Sequence, residues 1–445
     1  MAATIPLQIS KKAGESLLYI QEGMKRMIKT EIKHGVNLYT VKDKKFKSFR
    51  ACILIHRPLK RDEATLNTLT AAVARMQSKG FPDSQKISEE LENLYGGEMI
   101  ARASKYGERQ IIKIGVQTVS DSALGKSGNF DRAMELLYDI AFCSGTGEGF
   151  SKNVVNLEKK NITDAILAQK NDKRSYSVQR LQEEMCKDEP YGINPMGYIE
   201  DLEKIDEKQL YAHYKKILKE SRIDIIFSGN FDEAAAKKAA EKFAENLPER
   251  DGVEIAETYV SAPDNVKTVT DRMDVTQGKL CMGFRSEQGA GRENYPAAVV
   301  YNCIFGGSAV SKLFNNVREK LSLCYYVGSS LDRLKEIMIV RSGVEFDKFK
   351  TAYDEIMHQQ QMMENGEFTD EEIEFAKKYL VTAYESNLDS VAAMEEYYTM
   401  QILLGSDTSI EDMTRCICAV TRKEIVSAAK SMKLDTVYYM DKEAE

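Results

Sequence analysis

The chain has 445 residues, of which 43% are hydrophobic and 29% are charged. This length suffices for two hydrophobic cores of ordinary size, so two large domains are the default expectation. The 62 Lys and Arg residues and the 69 Asp and Glu residues give a formal charge of -7. Because the basic residues are scattered among acidic ones, we do not expect nucleic acid as a partner.

The N-terminal residues 1–28 mix Lys and Glu and contain no apolar core of a signal peptide. No run of apolar residues anywhere is long enough to cross a membrane. We therefore expect a cytoplasmic protein without a membrane partner.

Eight cysteines are spread along the chain, most of them beside apolar residues. This distribution predicts reduced and buried thiols. Cys416 and Cys418 form the one close pair, but no second Cys or His pair stands at the spacing of a zinc finger. We therefore expect no metal at this pair.

The second half of the chain repeats the first at a shift that falls from about 228 to about 211 residues. An apolar helix ending in glycine is expected at 71–80 and at 299–307, and a short helix follows at 89–94 and at 316–321. Strand, turn and strand are expected next, from Glu98 and from Tyr326. Further matches in the same order are Lys159-Lys160 with Lys377-Lys378, and Ile199-Glu-Asp with Ile410-Glu-Asp.

These repeats predict an α+β fold with two homologous tandem domains, each a mostly antiparallel sheet covered by helices on one face. Pro and Gly interrupt the periodic pattern between Glu245 and Asp264. The predicted organisation is an N-terminal domain at 1–244, a linker at 245–264 and a C-terminal domain at 265–445.

Three elements of the second half carry a resemblance to a known family: Phe305-Gly-Gly, Ser311-Lys-Leu-Phe and Arg318-Glu-Lys-Leu-Ser-Leu-Cys-Tyr325. Their order and spacing resemble the C-terminal domain of the insulinase, pitrilysin and mitochondrial-processing-peptidase family of inverted zincins. Pro190-Tyr-Gly and Phe227-Ser-Gly-Asn have counterparts in the family's first domain, so the resemblance covers nearly the whole chain. It implies that the two domains form half of a clamshell.

The chain departs from the family at the zinc motif. Active members carry H-x-x-E-H on the first apolar helix, where two His bind zinc and the Glu is the general base. Anchored on Lys79-Gly80, this sequence has Ala71, Ala74 and Arg75 in place of the first His, the Glu and the second His. The family's third ligand, a Glu, aligns near Ala165. We therefore expect no metal and no catalytic residue in this chain's own zinc site.

The four histidines of the chain do not replace the missing ligands. They are His34, His56, His213 and His358, and no two of them are four residues apart. Each is expected to be a surface or hydrogen-bonded histidine. A buried Arg75 in the former zinc site would need an acidic partner.

The resemblance assigns Arg318 to the binding of substrate carbonyl oxygens, and Tyr325 to donation toward the oxygen that becomes negative during hydrolysis. The alternative is that Arg318 caps its helix or pairs with Glu319, and that Tyr325 only packs. In the family's heterodimers, one subunit supplies the zinc motif and the other the Arg and Tyr.

The sequence therefore predicts a non-catalytic, substrate-binding subunit of a two-subunit zinc metallopeptidase, inactive alone. Zinc is expected in a partner that carries H-x-x-E-H, and an extended peptide or unfolded segment is expected to add to a sheet edge in the chamber between them. A homodimer of this chain is an alternative to the pairing with such a homologue. The alternative is an inert scaffold or a regulatory or maturation factor, as in relatives named for a role in modifying elongation factor P.

Overall fold

A computed structural model of the chain describes residues 26–145, 149–250, 255–287 and 294–443. The first half contains six strands, β1 (Ile28–Lys33), β2 (Val36–Lys42), β3 (Ser48–Pro58), β4 (Glu98–Tyr106), β5 (Arg109–Val119) and β6 (Ile223–Gly229). Its helices are α1 (Ala64–Ala74), α2 (Ser84–Asn93), α3 (Asp121–Leu124), α4 (Asn129–Phe142), α5 (Lys152–Asn171), α6 (Lys173–Met185), α7 (Ile199–Leu202), α8 (Glu207–Glu220) and α9 (Glu233–Glu245).

The second half has the same kinds of element in the same sequence. Its strands are β7 (Lys267–Met273), β8 (Gly278–Ser286), β9 (Cys324–Asp332), β10 (Ile337–Val344) and β11 (Met432–Lys442). Its α-helices are α10 (Tyr295–Asn302), α11 (Phe349–Asn365), α12 (Asp370–Glu385), α13 (Val391–Leu404), α14 (Ile410–Ala419) and α15 (Arg422–Ser431). Two π-helical segments, Cys303–Gly307 and Leu313–Lys320, follow α10.

The two sheets share one topology. The first has the strand order β1-β2-β6-β3-β5-β4 and the second β7-β11-β8-β10-β9. Apart from the additional edge strand β1, the orders coincide when β2 is matched with β7 and β6 with β11. In each sheet the last strand runs parallel to the first of the matched strands, and the other neighbours are antiparallel. The predicted α+β fold with two homologous halves is confirmed.

The expectation that helices cover only one face of each sheet is wrong. All nine inner residues of β3 are buried, which requires cover on both faces. The second cover comes from the other half of the chain. Helix α13 lies on the first sheet, where Met394, Tyr398 and Ile402 form a cluster with Leu54 and Ile226.

The exchange is reciprocal, because α6 of the first half packs on β8 and β11 of the second sheet. Its Leu181 and Met185 share a buried cluster with Cys281, Ile339 and Tyr438. Helices α6 and α13 occupy matching places in the repeat. Each of these two helices therefore packs on the sheet of the other half, across the boundary between residues 1–244 and 265–445.

Buried ion pairs accompany each exchanged helix. Lys113 of β5 lies 3.1 Å from Glu395 of α13, and Arg50 of β3 lies 3.3 Å from the same carboxylate. At the other crossing, Arg285 of β8 contacts Glu189, which follows α6, at 2.5 Å. Burial makes the breaking of any such pair costly, since the remaining charge has no water to solvate it.

The predicted linker runs against both halves. Among its described residues, 246–250 and 255–266 form neither helix nor strand. Glu257 accepts a hydrogen bond from the backbone of Glu108 at 2.8 Å, and the backbone of Thr258 donates to the Glu108 carboxylate at 2.8 Å. In the described part of the chain, no helix has the length and apolar character needed to cross a bilayer.

All eight cysteines are free thiols. Cys52, Cys186, Cys281, Cys303 and Cys324 are buried, and Cys143 is half-buried. Cys416 and Cys418 are exposed on α14 and differ in this respect from the expectation of burial. Their separation by two residues turns their side chains toward different sides of the helix.

Substitution of Lys113 by Met should destabilise the protein, because Lys113 pairs with Glu395 of α13, the helix that packs on the first sheet. The change leaves the fully buried Glu395 carboxylate short of one cation, and we expect the free energy of unfolding to fall by about 3 kcal/mol. Urea denaturation followed by circular dichroism measures it. Lys237→Met, which removes an exposed lysine of α9, is the control and should leave the midpoint nearly unchanged. Equal midpoints for the two variants would contradict the assigned role of this ion pair.

Candidate functional site

The helix expected to hold the zinc motif is α1, and it is shorter than predicted. It ends at Ala74, with Arg75 as the capping residue, rather than at Gly80. Beyond it, the Asp139 carboxylate accepts the backbone N–H of Gly80 at 2.6 Å. This side-chain acceptor satisfies the Gly80 N–H outside the helix.

The three positions of the motif hold groups that cannot bind zinc. Ala71 and Ala74 are fully buried in the core beneath the first sheet, and their methyl groups offer no lone pair. Arg75 is cationic and has no acceptor. Within the described ranges, no three His, Cys, Asp or Glu side chains are grouped so as to hold a metal ion. The residues present at this site therefore do not fit zinc.

Arg75 has an acidic partner, Glu158 of α5. The guanidinium lies 3.5 Å from the Glu158 carboxylate, whose side chain is 2% exposed. Asn161 donates a second hydrogen bond to this carboxylate at 3.1 Å. The salt bridge joins the end of α1 to α5.

The alignment of the family's third ligand near Ala165 stays a prediction. Ala165 is exposed, and it lies about two helical turns beyond Glu158. The residue of α5 that pairs with Arg75 is Glu158. A signal for it was present in the sequence, because Glu158 directly precedes the Lys159-Lys160 pair that anchors the repeat in this region.

The histidines lie outside this site and have ordinary surroundings. His56 contacts Asp224 at 2.9 Å and His213 contacts the Asn67 side chain at 2.7 Å, both in the interior. His34 and His358 are at the surface. Burial lowers the pKa of His213 to about 4; Glu63 opposes the shift and Arg57 adds to it.

The depressed pKa of His213 predicts a pH-dependent loss of stability. The unfolded chain takes up a proton near pH 6.5 and the folded chain only near pH 4, so the free energy of unfolding falls by about 3 kcal/mol as the pH drops through that window. His213→Gln keeps an N–H donor for Asn67 but cannot titrate. Urea unfolding at pH 7.0, 5.5 and 4.5 should give a shallower decline for the variant. Parallel declines would show that His213 does not titrate with a lowered pKa.

We expect the effects of changing Arg75 and Glu158 on the free energy of unfolding to be non-additive. Arg75→Met leaves a buried carboxylate with one amide partner, whereas in the double variant Arg75→Met with Glu158→Gln no charge remains. We expect the double variant to be more stable than the sum of the single changes by about 1 kcal/mol. A four-variant urea denaturation cycle measures this, with Arg61 and the exposed Glu200 as a surface pair for comparison. Strict additivity at Arg75 and Glu158 would show that the two side chains act independently.

The structure brings Arg318 and Tyr325 to one surface depression. Arg318 lies on the π-helical segment Leu313–Lys320, and Tyr325 is the second residue of β9. Between them the chain reverses at Ser322, whose φ is 48°. The depression has a volume of about 460 Å³, and both side chains line it.

Both side chains project into solvent. Tyr325 is 61% exposed, and its hydroxyl donates to Glu345 at 3.4 Å. Arg318 is 40% exposed, lies 3.6 Å from Glu319 and stands 4.7 Å from the centre of the Phe314 ring. The pairing of Arg318 with Glu319 is therefore present, but the pair is solvent-exposed and contributes little to stability.

The depression presents hydrogen-bond donors and an available strand edge. A guanidinium and a phenolic O–H can both donate to a carbonyl oxygen. In the described ranges, β10 is the strand that pairs with β9, and the other edge of β9 has no strand partner. Glu345 and Lys348 also line the depression; they were missed in the sequence because only the pairing of β9 with β10 brings them beside Tyr325.

Comparison with known proteins agrees with these features. Residues 204–380 match the family described as the peptidase M16 inactive domain. The chain is 31% identical over 411 residues to the probable inactive metalloprotease YmfF of Bacillus subtilis strain 168, covering 92% of this chain and 96% of that protein. It is also 21% identical over 414 residues to the uncharacterized zinc protease YmxG of the same organism, covering 90% and 94%.

Solved structures show the same fold. A conserved protein from Enterococcus faecalis V583 superposes with a TM-score of 0.87 at 27% identity, covering 94% of this chain and 99% of that one. A peptidase M16 inactive domain from Pseudomonas fluorescens superposes with a TM-score of 0.79 at 16% identity, covering 94% and 98%. The predicted architecture, two homologous domains as half of a clamshell, is confirmed.

Proposed function

The chain belongs to the M16 peptidase family, and from this membership together with its altered zinc motif we propose that it is the non-catalytic, substrate-binding subunit of a two-subunit zinc metallopeptidase. The partner is a homologue that carries H-x-x-E-H and binds the zinc. This chain supplies Arg318 and Tyr325 to an extended peptide held between the two subunits.

The first support is the chemistry of the former zinc site. At the residues aligned with the family's zinc motif, Arg75 forms a salt bridge with the buried Glu158. Two alanines complete the site, so neither a zinc ligand nor a general base is supplied by α1. A peptidase activity that involves this chain therefore needs both groups from another protein.

The observation that carries the proposal is the exposure of Arg318 and Tyr325 at one depression. An exposed aromatic side chain gains little from burial, and the two surface contacts of Arg318 are weak. Neither residue is needed to hold the fold together. Their directions instead suit the binding of an oxygen atom of a substrate that bridges them.

An extended substrate is favoured by the neighbouring edge strand. A peptide that adds to the outer edge of β9 would make backbone hydrogen bonds along its length. Such bonds bind peptides with little regard to side chains. The carbonyl oxygens of the same peptide would lie near the Arg318 guanidinium and the Tyr325 hydroxyl, where donors stabilise developing negative charge.

The proposal is tested by mixing the purified chain with its H-x-x-E-H homologue from the same genome and following cleavage of a fluorogenic peptide library. We expect zinc-dependent cleavage in the mixture and none with this chain alone. Arg318→Ala or Tyr325→Phe should lower kcat/KM by about 100-fold, the usual cost of removing a donor that stabilises the transition state.

Arg415→Ala is the matched control, because Arg415 is an exposed arginine on α14 paired only with Asp412. It should leave cleavage unchanged. Size-exclusion chromatography of each mixture separates loss of assembly from loss of chemistry. Assembly without any dependence on Arg318 and Tyr325 would favour the scaffold alternative, and cleavage by this chain alone would overturn the assignment of a non-catalytic subunit.

A further inference from the structure

A cavity of about 350 Å³ lies between the two halves, away from Arg318 and Tyr325. Its floor is formed where the edge strands β4 and β9 both end. Helices α12 and α13 and the start of α10 also line it. The cavity therefore depends on the exchange that places α13 across the first sheet.

Four tyrosine rings, those of Tyr106, Tyr295, Tyr384 and Tyr397, line the cavity. Tyr384 and Tyr397 stand edge to face with ring centres 6.2 Å apart. The Tyr397 hydroxyl is directed to the carbonyl of Thr408 at 3.0 Å, and the Tyr106 hydroxyl donates to Glu396. Because the hydroxyls of Tyr106 and Tyr397 already bond to other groups, these two rings offer a ligand mainly their apolar surfaces.

Two of the three charged groups at the cavity are already satisfied. Asp332 accepts the backbone N–H groups of Leu334 and Lys335 and the hydroxyl of Tyr191, each at 2.9 Å. Lys105 donates to the Tyr191 carbonyl at 2.9 Å and to Gln182 at 3.2 Å. The opposite charges of Lys105 and Asp332 balance one another within the site.

Arg333 is the third charged residue that lines the cavity. Its guanidinium stands 4.1 Å from the centre of the Tyr295 ring. Across the described ranges, no carboxylate forms an ion pair with it. A guanidinium stacked on an aromatic ring retains its planar set of donors for a carboxylate.

We propose that this cavity binds a carboxylate that is carried next to an aromatic ring. The carboxylate pairs with Arg333, and the ring packs among the tyrosines. The source of the carboxylate is either the free C-terminus of a peptide that ends in an aromatic residue or an acidic side chain within a peptide. Only this peptide origin rests on the proposed function; the affinity for the carboxylate is a property of the chain by itself.

Isothermal titration calorimetry on the purified full chain, without a partner, tests the proposal. The first probes are N-acetylphenylalanine and N-acetylphenylalanine amide, which differ only in the carboxylate. We expect the acid to bind and the amide to bind at least tenfold more weakly. Equal binding of the two, or no binding of the acid at millimolar concentration, would overturn the assignment.

Two peptides then distinguish the sources. One ends in Ala-Phe with a free carboxylate, and the other has Glu-Phe within an amidated sequence. Binding of the first alone assigns the cavity to a C-terminus, and binding of the second alone assigns it to an acidic side chain. Because no zinc-bearing subunit is present, these results do not depend on whether partner-dependent cleavage is found.

The residue is tested with Arg333→Met and Arg333→Lys. The Met variant should lose at least tenfold in affinity for the acid, and the Lys variant should recover part of it. Arg132→Met is the matched control, since Arg132 is a half-exposed arginine paired with Glu90 on the first half. Unaltered affinity in a folded Arg333→Met variant would show that the carboxylate binds elsewhere.

Discussion

The reciprocal exchange of two helices between the two sheets is the constraint on which the rest of this structure depends. Each sheet has one face covered by helices of its own half and the other by a helix from the opposite half. A sheet whose inner strands are apolar on both faces cannot be stable in water with one face open. Neither half is therefore complete without the other, although each repeats the same order of elements.

Buried charges fix how the exchanged helices are seated. Apolar contacts alone would allow α13 to shift along the first sheet with little penalty. The Glu395 carboxylate, held between Lys113 and Arg50, opposes such a shift because each displaced charge would be left unpaired in the interior. Glu189, held by Arg285 and Lys335, has the same role at the α6 crossing. The ends of β4 and β9 are thereby held on either side of one cavity.

The two halves of the repeat have diverged at their functional positions. In the first half, the helix that matches the zinc-binding helix of the family ends in a cation, and that cation neutralises the carboxylate of Glu158. Both residues of this salt bridge belong to this chain. In the second half, Arg318 and Tyr325 remain exposed beside an unpaired strand edge. The proposed peptide-binding surface thus lies in the second half, while the groups that would cleave a peptide are absent from α1.

The sequence by itself determined the α+β class, the two-fold repeat, the loss of the zinc motif and the positions of Arg318 and Tyr325. These features depend on residue type, local periodicity and short spacings, which can be read directly. The tertiary structure alone decided that α6 and α13 each pack on the sheet of the other half, that Glu158 is the partner of Arg75, and that Arg333 stacks on Tyr295 at the cavity. Those contacts join residues far apart in the chain, and their geometry follows from how whole helices pack on sheets, which no local pattern specifies.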